Sequence, residues 1–223
     1  MTRFAQTYTD LDKRFALHLC AINSDIKPAA AETLWQDIAT RYNETARAYH
    51  TVGHLEQLFA QFEQIKHYLR EPHIVALALY YHDVIYDPTR ADNELKSAGF
   101  AVAALNRYLN AEQCQRLYAL IMMTANHQLD GTAENHLDLD AAYLLDMDLS
   151  ILAAPWPEYA QYTQAIRQEY AHVPLADFCV GRIAVLESLL AHSDLYLTDY
   201  YHQRLEKPAR VNIEREIKLL LAS

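Results

Sequence analysis

The chain has 223 residues, 52% of them hydrophobic and 22% charged, enough for a core of its own and too apolar for a disordered chain. Its formal charge of −10 argues against non-specific binding to DNA, RNA or anionic membranes. It leaves room for a small phosphorylated substrate, because a bound cation and a few local charges reverse the sign inside a cleft.

Phe4, Tyr8, Leu11, Phe15, Leu19 and Ile22 recur at three- and four-residue steps, which is one face of a helix. Pro28 suits the first turn of a second helix, whose face is Leu34, Trp35, Ile38 and Tyr42. A third, from about Val52 to Leu69, carries His54, Leu55, Leu58, Phe59, Phe62 and Ile65. Pro72 opens a helix that is apolar on every side through Tyr81, and Pro88 prevents its continuation. Further helices are expected near Asn93–Leu109, Ala111–His127, Asp138–Leu152, Glu158–Tyr170, Leu175–His192 and Pro208–Leu221, with Pro155-Trp156-Pro157 as a break and Gln128–Leu137 as a loop. Only 4 glycines occur, and the 7 prolines fall mostly between periodic segments. An all-α fold, a single domain over 1–223 with roughly nine to eleven helices, follows.

The cysteines, Cys20, Cys114 and Cys179, are scattered and show no ligand spacing, so they read as buried free thiols in a reducing cytoplasm. Met1-Thr2-Arg3-Phe4 leads straight into an amphipathic pattern without a signal-peptide core, and no apolar run reaches membrane-spanning length. A homo-oligomer is compatible with this composition.

The chemistry concentrates in Tyr49-His50-Thr51-Val52-Gly53-His54, in His82-Asp83 and in Asp148. Imidazole and carboxylate donors are what a divalent cation needs. Asp83 follows an almost wholly apolar stretch, where an ionised carboxylate must be paired or bound to metal. The competing reading is a core histidine capped by its neighbouring aspartate. Asp148 is preferred to Asp146 because its neighbours Leu144, Leu145, Ile151 and Leu152 form the more apolar stripe; a pairing of Asp148 with Arg182 is the alternative. His54 shares a face with Leu58 and reads as a ligand, whereas His50 either sits in the first turn near the ion but not on it or is a half-buried surface histidine. His127 ends an apolar segment and either contacts substrate, completes a second metal position or is a helix-end histidine; His136 is a weaker candidate in the loop. Arg182, on an apolar face, wants a phosphate or a carboxylate. Asp87, Asn93 and Glu94 could orient water or support a ligand, or Asn93-Glu94 could simply begin a helix.

The order His…His-Asp…Asp resembles the HD superfamily of metal-dependent phosphohydrolases, and the whole chain resembles the bacterial family described as predicted metal-dependent HD phosphohydrolases. The stretches that carry the likeness are Tyr49-His50-xxx-His54-Leu55, His82-Asp83-xx-Tyr86-Asp87, Asn93-Glu94-xx-Ser97-Ala98, Asp146-x-Asp148-Leu149-Ser150-Ile151-Leu152 and Phe178-xx-Gly181-Arg182-xx-Val185-Leu186. The resemblance implies an HD-domain helical bundle. His54, His82, Asp83 and Asp148 would be its metal ligands. Cyclic-nucleotide phosphodiesterases have a similar Tyr-His-xxx-His element, which makes His50 the general acid for the leaving oxygen. The guanosine tetraphosphate hydrolases place a Glu-Asp pair where this chain has Tyr86 and Asp87; the absent Glu argues against that substrate.

These expectations combine into hydrolysis of a phosphomonoester or phosphodiester, a nucleotide among the options, by a metal-activated water. His50 would donate the proton, and Asp87 or Glu94 would steer the attacking water. His127, Asn93 and Arg182 would meet substrate. One tightly held Mn, Fe, Co, Ni, Zn or Mg ion is expected. Two alternatives stand beside this reading: an HD-type di-iron oxygenase, and a non-catalytic metal or nucleotide sensor.

Overall fold

The computed structural model describes residues 3–129 and 138–222, with side chains from residue 11 onward. Within them are ten α-helices and no strand. Backbone packing divides the chain into two units, Met1–Leu144 and Leu145–Ser223.

The first unit holds α1 (Arg3–Ile22), α2 (Pro28–Tyr42), α3 (Val52–Ile65), α4 (Pro72–Tyr81), α5 (Asn93–Leu105) and α6 (Ala111–Met123), and most of α7 (Leu139–Asp148), which runs on into the second. The segment without a polar face becomes the centre of this unit: every residue of α4 from Ile74 to Tyr81 is buried, and α1, α3, α5 and α6 all pack against it. Polar groups are spent on fixing its surroundings. The Tyr80 hydroxyl donates to the Leu11 carbonyl of α1 at 2.8 Å. The Asp140 carboxylate accepts the Arg70 and Glu71 amides, each at 2.8 Å, satisfying donors where α4 begins. Arg116 grips Asp138 through two hydrogen bonds of 2.5 and 2.7 Å. The start of α7 is thereby tied to the start of α4.

His18 of α1 and His73 of α4 share one hydrogen bond, Nδ1 to Nδ1, at 3.0 Å. Burial, then the neighbouring His73, pushes the His18 pKa down to about 4, against the pull of Glu63 and with the push of Lys66 and Arg14. The unfolded chain, where histidine titrates near 6.5, therefore binds the extra proton first. Stability is expected to be flat above about pH 6.5 and to fall as pH drops towards about 4, by at most about 3 kcal/mol from this residue. Urea midpoints measured across that window check it: H18F should flatten the slope, and an unchanged slope would remove His18 as its source.

The second unit comprises the end of α7, a 3₁₀ segment (Leu149–Ala153), α8 (Trp156–Glu169), α9 (Leu175–Ala191) and α10 (Asp199–Leu221). The expectation that the last helix starts at Pro208 is corrected: α10 runs from Asp199 with Pro208 inside it. Proline removes one backbone donor and crowds the preceding turn, and tertiary contacts offset that loss. Thr198 caps the start of the helix. The Glu206 carboxylate accepts the Leu195 and Tyr196 amides at 2.9 and 3.2 Å, and Arg210 donates to the carbonyls of His192 and Ser193 at 2.7 and 2.9 Å. Asn212 binds the Leu152 and Ala154 carbonyls at 2.9 and 2.8 Å. Of the cysteines, Cys179 is buried, Cys20 and Cys114 are half-buried, and all three are free thiols. Among the described residues no helix is long and apolar enough to cross a membrane. The loop expected over Gln128–Leu137, with His136, lies outside the described residues from 130 onward.

Candidate metal centre

Helix α4 stops at His82, which caps it, and α7 stops at Asp148. The C-terminal end of α4 carries the negative pole of its dipole, a setting that favours a cation, and α7 continues directly into the 3₁₀ segment Leu149–Ala153. His54 comes from the first turn of α3.

His54, His82 and Asp148 each offer one donor atom, and the three atoms lie within 4.8 Å of one another. The two histidines are buried and Asp148 is half-buried. His54 Nε2 and His82 Nε2 are 3.2 Å apart. Asp83 Oδ2 stands 3.0 Å from His82 Nε2 and 3.9 Å from His54 Nε2. Donors bound at about 2.1 Å to one ion are separated by about 3.0 Å at right angles and about 3.4 Å at tetrahedral angles. The His54–His82 and His82–Asp83 pairs stand at that spacing, Asp83 is wider from His54 at 3.9 Å, and the Asp148 donor lies within 4.8 Å of both histidine donors. His82 Nδ1 lies 2.9 Å from the Leu79 carbonyl. A carbonyl only accepts, so Nδ1 carries the proton and Nε2 turns its lone pair to the cluster. Donor types, spacing and tautomer all fit a divalent cation.

His50 lies beside the group: its Nε2 is 3.9 Å from Asp83 Oδ2, and its ring stacks on Tyr86 with centroids 4.1 Å apart. Tyr49 packs on His54 at 4.9 Å. The segment after Asp83 is stapled to α5. The Asn93 side chain accepts from the Asp87 amide at 3.1 Å and donates to the Asp87 carbonyl at 2.9 Å. Ser97 Oγ accepts from the Ile85 amide at 3.0 Å and donates to its carbonyl at 3.2 Å. Asp87 Oδ1 accepts the Thr89 amide and hydroxyl at 2.9 and 2.7 Å, closing a turn. Glu94 occupies the first turn of α5, where an acid suits the dipole. His127 ends the turn after α6 in the left-handed region, with φ 51°, and is not a member of the donor group. Arg182 takes a carboxylate partner, Glu216, with its Nε 2.8 Å from Oε1.

The two aspartates of α7 divide their work. Asp148 is in the donor group, but the reason for preferring it, a more apolar stripe, does not hold. Asp146 is the more buried, at 0% exposure. It is tolerated because its carboxylate accepts the Leu197 amide at 2.7 Å, the Thr198 amide at 2.8 Å and the Thr198 hydroxyl at 2.6 Å. Burial nonetheless raises its pKa to about 6, against the pull of those hydrogen bonds. D146A is expected to cost about 2–4 kcal/mol of stability with metal affinity within a few-fold of wild type. D148A should weaken metal binding at least about 10-fold with little change in the unfolding midpoint. Calorimetry on both variants checks the assignment, which a reversed pattern would refute.

Sequence spacing did not single out Arg47, which contacts both ligand-bearing segments. Its one signal is a cation in a short stretch without helical periodicity, just ahead of Tyr49-His50. Comparisons of the chain with family models, with curated proteins and with solved structures give no match.

Proposed function

We propose that this chain is a metal-dependent phosphohydrolase acting on a small phosphorylated substrate. The observation that carries the reading is the convergence of His54, His82 and Asp148, with Asp83 against both histidines. These four side chains would hold one divalent cation, which when bound supplies Lewis acidity toward a phosphoryl oxygen and acidifies water. An ion also answers the charge problem, since a chain of formal charge −10 otherwise repels phosphate.

The surrounding residues have separate tasks. His50 is half-buried at the edge of the cluster; its Nε2 is 3.9 Å from Asp83 Oδ2, and the Tyr86 ring holds its plane. It is placed to give a proton to the leaving oxygen. Asp87, on the segment stapled by Asn93 and Ser97, and Glu94, in the first turn of α5, are assigned to steering the attacking water. The resemblance to HD phosphohydrolases supports the same reaction class. Arg182 is assigned no contact with substrate, because its guanidinium is engaged by Glu216.

The test is turnover of phosphomonoesters, nucleotides and cyclic dinucleotides with Mn²⁺, Fe²⁺, Co²⁺, Ni²⁺ or Mg²⁺. At least one pair is expected to be hydrolysed, and D83A to abolish it. No turnover on any pair, or turnover that survives D83A, defeats the proposal.

A further inference from the structure

We propose that Arg47 is a positioning residue of the metal centre, holding in register the two segments that deliver His54 and His82-Asp83. This rests on the metal-centre reading above. The Arg47 side chain is 1% exposed. Its NH1 donates to the His50 carbonyl at 3.2 Å and to the Asp83 carbonyl at 2.7 Å. Its NH2 donates to the Val84 carbonyl at 3.0 Å, and Nε faces Glu44 at 3.3 Å. The guanidinium carbon lies 5.0 Å from the Tyr42 ring centroid and 5.5 Å from that of Tyr86.

A buried guanidinium is costly unless its donors are met. Here the acceptors come from two places: His50, four residues ahead of His54, and Asp83 with Val84, just past the end of α4. The cation is satisfied only when both segments are in place. The planar fork sets their separation and angle, which the point charge of a lysine does not. The Asp83 amide is held from a further side, donating to the Tyr42 hydroxyl at 3.3 Å. Arg47 acts through the backbone that carries the ligands, donating to the His50, Asp83 and Val84 carbonyls.

The readout is Co²⁺ affinity of the metal-free full chain, followed by visible absorption at a temperature where each variant is folded by circular dichroism. Wild type, H54A, R47K, R47Q and R210K are compared; the last loosens a guanidinium fork on the His192 and Ser193 carbonyls, which carries no donor segment. Wild type is expected to bind and H54A to lose binding. R47K and R47Q should bind about 10- to 100-fold more weakly, as for loss of a group supporting a ligand, while R210K keeps wild-type affinity. Wild-type affinity in R47K overturns the proposal, as does an equal loss in R210K or failure of both Arg47 variants to fold. Absence of Co²⁺ binding by wild type would instead defeat the metal-centre reading itself.

Discussion

Replacing His82 by alanine is expected to weaken divalent-metal binding by more than about 100-fold and to reduce any phosphohydrolase activity to background. Losing a partner that merely supports a ligand costs about 10- to 100-fold in affinity, so losing a direct ligand costs more. His82 is 2% exposed and is the hub of the cluster. Its Nε2 lies 3.2 Å from His54 Nε2 and 3.0 Å from Asp83 Oδ2, and its tautomer is set by Leu79. H54A should behave in the same way. H18A, which removes an imidazole from the α1–α4 contact, should leave affinity unchanged. Isothermal titration with Mn²⁺ or Co²⁺ separates these cases, and wild-type affinity in H82A would refute the centre as drawn.

The largest stability loss is expected in the second unit, at Glu216. Its carboxylate lies 2.8 Å from Arg182 Nε and 3.2 Å from Arg182 NH2, and it also accepts a short hydrogen bond from the Tyr159 hydroxyl. Glu216 is 5% exposed and Tyr159 fully buried. The Tyr162 hydroxyl and Glu216 hold the Arg182 pKa above its ordinary value despite burial. Removing one partner strands a buried charge, so E216A should cost about 3–5 kcal/mol. That corresponds to a fall of roughly 10 °C in Tm for a chain of this size. The double variant R182M/E216M should recover most of it, because desolvating the pair offsets much of its attraction. A Tm within a degree or two of wild type for E216A would show that the pair holds little. R182M should leave metal affinity untouched.

Much of this was legible along the chain because burial is a local signal. The fully apolar segment before His82 could only be an interior helix, and α4 is buried from Ile74 to Tyr81. The donor residues were legible for a related reason: imidazole and carboxylate groups in apolar surroundings need a partner. Spacing alone did not separate ligands from scaffold. Asn93 and Ser97 turn out to staple the segment after Asp83 to α5.

The sequence by itself determined the helical class, the buried centre of the first unit and three donors that the structure brings together, His54, His82 and Asp148. Hydrophobic burial is non-directional and repeats with the helical period, so it is written into neighbouring residues. Tertiary structure alone decided what each buried polar group meets. Asp146 faces Thr198, Arg182 faces Glu216 and Arg47 faces the carbonyl of Asp83. Tertiary contacts also let α10 run through Pro208. Hydrogen bonds are directional and short, and these partners come from residues 52, 34 and 36 positions away, a distance over which periodicity carries no information.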